Sequence, residues 1–410
     1  MARLSETSAE IVRATLPVIG GAIGDITPVF YQRLFAAHPE LQRDLFNRGN
    51  QAQGDQQRAL AGAIAAYATL LVAEDGPEPE AVLARIAHKH ASLGITEDAY
   101  PIVHEHLFAA IVEVLGDAVT PEIAAAWDEV YWNMANALIA IEKGLYAEAD
   151  VKPGDVWRNV VVRDRVQETP DTVSFVVEAT DGSRLPSFKP GQYLSVAVRL
   201  PDGARQIRQY SLIGLPAGET VSEAGASTAW AFSVKRVPDL AGAPAGEVST
   251  FLHDQVVEGD VLEVSTPYGE LTLTEEGPLV LVSAGIGVTP MVGFLRHLDR
   301  TGSEREVLVL HADRAVELHA HRAEVAELVG ALPGATQLRW YEDLAGEPAT
   351  DEVLAGRIDL THVELPEDAH IYLCGPVPFM AAVRTALLDR GVADENVHYE
   401  VFGPSRELSA

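Results

Sequence analysis

Apolar positions recur every three to four residues from the amino terminus to about residue 147, and no stretch there alternates with a period of two. His38-Pro39, Gly76-Pro77, Ile95-Thr96 and Thr120-Pro121 interrupt the pattern, which predicts a series of helices with short breaks. From Trp157 the period changes. Trp157–Arg163, Thr172–Glu178, Gln192–Arg199, Gln206–Leu212, Ala229–Arg236 and Asp260–Ser265 read as strands divided by Pro, Gly and Asp turns, a spacing that predicts a small closed barrel. A third regime starts at Gly277. Strand Leu279–Ser283 leads into a helix from Thr289, and strand Glu306–His311 into a helical stretch from Glu317 to Leu332. Gln337–Tyr341, His370–Cys374 and His398–Phe402 complete the strands. Such alternation predicts a doubly wound parallel sheet with ligands at the carboxyl ends of its strands. Ala147 to Asp155, with Lys152-Pro153-Gly154, reads as a linker, and Pro216 to Thr228 as a polar insertion.

Composition narrows the partners more than the fold. The 410 residues are enough for two to three domains, and 47% hydrophobic with 22% charged residues is ordinary for a globular chain. A formal charge of −30 is not ordinary, and it is spread along the whole length. That field repels nucleic acid and anionic membrane, so neither is an expected partner. The one cysteine, Cys374, excludes an intramolecular disulfide and fits a reducing compartment. Ala14 to Gly24 is apolar, but Glu6 and Glu10 precede it where a secretory signal would be basic. No apolar run approaches the roughly eighteen residues of a membrane helix. A cytoplasmic protein without membrane insertion is expected, acting as a monomer.

Within the helical part, Leu83, Ile86, Ala87 and His90 share one face at about 100° per residue, and His88 points away from it. An imidazole in an apolar stripe reads either as a core histidine bonded to a carbonyl or as an axial ligand to a haem. The last helix carries the stripe Trp127, Tyr131, Met134, Leu138, Ile141 and Leu145, with Glu142 beside it. With Tyr100, that carboxylate could bond the non-ligating nitrogen of His90 and make it a stronger donor. Glu142 on a solvated flank is the plainer alternative. Tyr31, with Phe30, Leu34 and Phe35, and Gln56, with Leu60, Ile64 and Tyr67, supply a phenol and an amide that could converge over iron. A buried tyrosine and a surface glutamine are the alternatives there.

The barrel carries Pro190-Gly191-Gln192-Tyr193 and then Arg208-Gln209-Tyr210-Ser211. On a strand, the aromatic ring can lie against an isoalloxazine, the serine can bond its polar atoms and the arginine can fork onto a pyrophosphate. Gly246-Glu247-Val248-Ser249 opens a short helix whose amino end suits the same phosphates. Gly285-Ile286-Gly287-Val288-Thr289-Pro290 follows a buried strand and opens a helix, so its glycines admit a second pyrophosphate; Pro290 stands where the dinucleotide fingerprint has its third glycine. Cys374-Gly375-Pro376 ends another strand, its cysteine read as a buried residue before a turn. An aromatic in Glu400-Val401-Phe402-Gly403-Pro404 could cover the flavin until nicotinamide displaces it. His311-Ala312-Asp313-Arg314 offers an acid suited to a free ribose and an arginine suited to a phosphate, which leaves NADH and NADPH both open.

These motifs in this order resemble the flavohaemoglobins over nearly the whole chain. Phe30-Tyr31, Gly54-Asp55-Gln56, Lys89-His90, Glu105-His106-Leu107 and His398-Tyr399-Glu400 join those above in the match. The resemblance implies an all-α globin domain at 1–147, a linker at 148–155, an antiparallel six-stranded FAD barrel at 156–272 and a doubly wound α/β NAD(P)H domain of ferredoxin-reductase type at 273–410. It implies haem b, FAD and NADH or NADPH as cofactors, and O2 and nitric oxide as partners. The implied activity is a nitric oxide dioxygenase, oxidising nitric oxide to nitrate with electrons from NAD(P)H through FAD. A haem-assisted flavin or ferric reductase and a haem-based gas sensor are the alternatives. By resemblance His90 is the proximal iron ligand, Tyr100 and Glu142 its relay, and Tyr31 and Gln56 the distal pair. Lys89 and Glu400 tune the potentials. Tyr193, Arg208, Gln209, Tyr210, Ser211, Val401, Phe402, Gly403 and Pro404 bind FAD, and Gly285, Ile286, Gly287, Val288, Thr289 and Pro290 bind the nicotinamide dinucleotide. Val288 replaces a frequent glutamine and Val401 a frequent cysteine, which implies altered potential or affinity with activity kept.

Overall fold

Capping side chains set where the helices begin. Ser5 opens α1 (Glu6–Ala37) with its hydroxyl accepting the Ser8 N–H at 3.2 Å, and Thr120 opens α7 (Pro121–Glu148) by accepting the Ile123 N–H at 3.3 Å. Between them lie α2 (Pro39–Asp44), α3 (Arg48–Ala52), α4 (Asp55–Val72), α5 (Ala84–Leu93) and α6 (Ala99–Leu115). The computed structural model describes residues 4–73, 82–215, 227–239, 244–274, 276–346 and 348–403; the expected insertion up to residue 226 falls outside these, as do Gly76-Pro77 and Pro404. Helix α1 packs on α4, α6 and α7, and α5 on α7, around two clusters centred on Val12, Tyr67, Trp127 and Leu138 and on Ile26, Phe30, Tyr31 and Leu107. The periodicity did not reveal the breaks between α2, α3 and α4. Asn47, which caps α3 through two backbone amides, and left-handed Gly54 make them.

The barrel strands are β1 (Trp157–Thr169), β2 (Thr172–Ala179), β3 (Tyr193–Arg199), β4 (Arg205–Ser211), β5 (Ala229–Lys235) and, after helix α8 (Glu247–Gln255), β6 (Val261–Ser265). They pair antiparallel in the order β4-β3-β6-β1-β2-β5. A bridge from Leu212 to Phe232 joins the two ends and closes the barrel. Its core is Val160, Phe175, Leu194, Trp230 and Phe232 with Leu252 of α8.

The last domain runs β7 (Leu279–Ala284), α9 (Val288–Arg300), β8 (Val307–Ala315), α10 (Arg322–Ala331), β9 (Ala335–Asp343), β10 (Val353–Ala355), β11 (His370–Cys374), α11 (Val377–Asp389) and β12 (Val397–Glu400). Its sheet is parallel in the order β10-β9-β8-β7-β11-β12, with helices on both faces. Two expectations need correction. The three-residue edge strand β10 is too short to show a period, and the stretch expected from Glu317 becomes helical only at Arg322, after a single 3-10 turn at Val316–Leu318.

One close approach fixes how α9 meets the sheet. A Cβ on Gly287 would lie 2.3 Å from the Cys374 carbonyl oxygen, so only glycine lets the turn before α9 rest on the end of β11. Gly287→Ala should therefore lower unfolding stability by about 2 kcal/mol or more, since backbone atoms must move to admit the methyl. Chemical denaturation checks this, and an unchanged midpoint would show that the turn can yield.

Candidate functional site

Helix α5 lies between two interiors, and its faces differ accordingly. On one face His90 Nδ1 donates to Glu142 Oε1 at 2.8 Å, and the Tyr100 hydroxyl donates to the same oxygen at 2.6 Å. Glu142 is 2% exposed, so it is no solvated flank residue, and these two groups are what satisfy it. Burial, and then the Glu142 charge, push the Tyr100 phenol up in pKa, so it remains a donor. Tyr131 in turn donates to the Tyr100 carbonyl at 2.6 Å. With Nδ1 committed as a donor, Nε2 of His90 carries the lone pair, and the imidazole is one-third exposed. An axial ligand needs both features, whereas a core histidine bonded to a carbonyl needs neither.

Tyr31 is buried on α1, and burial raises its phenol pKa while a hydrogen bond to Gln56 opposes this. The expected distal pair is thus together. Around it Phe46, Leu60, Ile64, Ile102 and Val103 are apolar yet only half-buried. Half-covered apolar side chains inside a helical domain fit a flat apolar group such as a porphyrin.

The other face of α5 meets the barrel and the carboxy-terminal segment. Arg85 binds Glu270 at 2.7 Å and the Tyr399 carbonyl at 3.0 Å, His88 Nδ1 accepts the Gly269 N–H at 3.0 Å, and Lys89 reaches the Gly403 carbonyl at 3.5 Å. Ser92 accepts from Ser195, which accepts from Gln209 at 3.0 Å. Sequence reasoning missed Arg85, Ser92 and Ser195, because contacts between domains leave no periodic mark. Burial, and then Arg208, push the Lys89 ammonium down to about 8. Burial pushes the Glu400 carboxyl up to about 8 against the pull of Arg85.

Tyr193, Gln209 and Ser211 meet where β3 pairs with β4. Tyr193 is buried and bonded to Ser92, and Tyr210 stacks on Phe232 at 5.7 Å. Among the described residues Ser211 Oγ, in a residue 3% exposed, and Glu400 Oε2 are buried and find no hydrogen-bond partner, while Phe402 is 45% exposed. Buried polar atoms left over in this region, together with an uncovered aromatic two residues after Glu400, fit an isoalloxazine, which has polar edges and an apolar face. Arg208 donates to Asn47 Oδ1 at 2.8 Å in the helical domain. Val401 is half-buried against the β11–β12 core.

At the carboxyl ends of β7 and β11, Gly285 has φ +53° and Ile286 accepts from the Thr289 hydroxyl at 3.0 Å, with Val288 and Pro290 buried behind them. This is a glycine turn at a helix start with backbone free to face phosphate. The Cys374 thiol beside it is fully buried, and burial raises its pKa well above the ordinary range. Asp313 turns inward: Oδ1 accepts the Arg314 N–H at 2.8 Å, and Oδ2 is buried 3.7 Å from His311. It is therefore not presented to a ribose, and Arg314 is the exposed member of that pair.

Residues 29–138 match the globin family model, 159–273 the oxidoreductase FAD-binding domain and 281–385 the oxidoreductase NAD-binding domain. The chain is 44% identical to the flavohemoprotein of Chromobacterium violaceum and 41% to that of Rhizobium meliloti, in each case over 98% of both chains. The chain belongs to the flavohemoprotein family. A crystal structure of flavohemoglobin from Malassezia yamatoensis with bound FAD and heme matches with TM-score 0.86 and 39% identity, over 98% of this chain and 100% of that one. The FAD/NAD-binding domain of nitric oxide dioxygenase from Vibrio cholerae matches 60% of this chain, and 99% of its own, at 37% identity and TM-score 0.53. As a flavohemoprotein the chain is an oxidoreductase that uses haem, FAD and a nicotinamide dinucleotide. No helix among the described residues is long and apolar enough to cross a membrane.

Glu400 yields a pH prediction. The unfolded carboxyl ionises from about 4.5, whereas the folded one keeps its proton to about 8. Across that window the folded state binds more protons, so stability falls as pH rises. Glu400→Gln should flatten the fall in melting temperature between those two pH values, and an unaltered slope would mean that the carboxyl has a compensating partner.

Proposed function

We propose that this flavohemoprotein is a nitric oxide dioxygenase, oxidising nitric oxide to nitrate with O2 and electrons from NAD(P)H. The observation that carries this reading is the Glu142–His90 hydrogen bond at 2.8 Å, reinforced by Tyr100 on the same oxygen. A carboxylate behind the imidazole makes Nε2 electron-rich, which favours oxygen activation over reversible storage. The activity named for the Vibrio cholerae relative, 37% identical over the reductase half, supports the same assignment. Haem supplies oxygen binding and the oxidation of nitric oxide, and FAD turns a nicotinamide hydride into single electrons.

The residues then divide the work. His90 holds iron, and Glu142 with Tyr100 fixes its tautomer. Tyr31 and Gln56 point hydrogen-bond donors and acceptors at the oxygen side. Tyr193, Arg208, Gln209, Tyr210 and Ser211 hold the flavin, with Val401, Phe402 and Gly403 beside it. Gly285, Ile286, Gly287, Val288, Thr289 and Pro290 receive the dinucleotide pyrophosphate. Burial weakens the charge of both Lys89 and Glu400, and their opposite signs offset one another, so together they keep the net charge beside the flavin low and tune its potential. Both halves meet at α5 within one chain, which supports a monomer, and a single cysteine fits the reducing cytoplasm.

Stopped-flow mixing of the reduced, oxygenated protein with nitric oxide tests the reading: consumption should far exceed that by free haem, and equal rates would sink it. His90→Ala should lose haem yet keep FAD and NADH-dependent dye reduction, both read from visible spectra. Retention of haem would mean that another residue is the ligand.

A further inference from the structure

The turn joining α2 to α3, residues 43–48, is held from outside its own domain. Gln206 of β4 is fully buried, and its Nε2 donates to the carbonyls of Arg43 at 3.1 Å and Phe46 at 3.2 Å. Its Oε1 accepts the Arg48 N–H at 3.3 Å, and the neighbouring Arg205 N–H donates to Asp44 Oδ1 at 3.1 Å. Three backbone groups of one turn thus depend on one amide, and an apolar side chain there would strand them. The Phe46 ring stands edge-on to Tyr31, with centroids 5.8 Å apart, and to Phe35 at 5.3 Å. Gln206 also lies two residues before Arg208, so both side chains leave the same face of the strand. Arg208 reaches the next residue of the turn, Asn47, whose side chain caps α3.

We infer that Gln206 is a positioning residue that ties the flavin strand to the oxygen side of the helical domain: it fixes the 43–48 turn, and through Phe46 it fixes Tyr31. The two halves of the chain are then coupled twice, by α5 on the His90 side and by Gln206 on the Tyr31 side. The inference rests on Tyr31 facing the haem ligand, as in the functional reading above.

The test uses the full-length holoprotein and Gln206→Met, which keeps the shape and removes all three hydrogen bonds. Haem and FAD content should remain, amide exchange within residues 43–48 should quicken, and the C–O stretch of the ferrous carbon monoxide complex should move toward that of Tyr31→Phe. Oxygen dissociation should speed up about tenfold, equivalent to ~1.4 kcal/mol. A purely structural role would leave the stretching frequency and the dissociation rate alone, and that result overturns the inference. If Tyr31→Phe shifts both readouts while Gln206→Met shifts neither, only this inference falls; if Tyr31→Phe is silent too, the distal assignment falls with it. Should Gln206→Met lose haem, Phe46→Leu carries the test from the helical side, and wild-type oxygen dissociation in that variant overturns the inference equally.

Discussion

A carboxylate that is 2% exposed, and that among the described residues pairs with no arginine or lysine, is the constraint on which the molecule turns. Leaving Glu142 unsatisfied in that interior would cost several kcal/mol, so α5 and α6 must approach α7 closely enough for His90 and Tyr100 to reach it. The same demand fixes the imidazole's tautomer and its plane. Everything on the far side of α5 inherits that position, because a helix of ten residues moves as one body.

The far side is correspondingly specific. Arg85, His88, Lys89 and Ser92 each find a partner in the reductase half, and Arg85 also lies over the Tyr399 ring at 4.7 Å. Gly94 ends the helix in a left-handed turn, where a Cβ would stand 3.1 Å from the Gly154 carbonyl, so the connection between the halves passes directly under the end of α5. The helix is a shared wall. His90 leaves it toward Glu142 and the helical interior, while Arg85, His88, Lys89 and Ser92 leave it toward the reductase half, so one short helix sets the spacing between the two interiors.

Much of this was legible in the sequence, for physical reasons that differ from place to place. His90 and Glu142 stood out because polar groups on apolar stripes break a helical period, and the barrel and parallel sheet because alternation and buried runs are local properties. Their assignment to haem and flavin came from the resemblance of ordered motifs, since spacing alone left a core histidine open. The clasp at Gln206, the bonds of Ser92 and Ser195, and the inward turn of Asp313 left no such mark. Each depends on a partner distant along the chain or on a rotamer, and neither is encoded in periodicity. In the sequence Gln206 is an ordinary polar alternate of a strand two residues before Arg208, and only the structure shows it to be fully buried.

Cys374 closes the account from a different direction. It is the chain's single sulfhydryl, sealed behind the turn at Gly287 and held protonated by its surroundings. Oxidation and nitrosation of cysteine both begin from an accessible thiolate, and the folded protein offers none. The folded chain therefore offers no thiol through which two copies could be crosslinked, and redox chemistry at its cofactors runs without a competing thiolate.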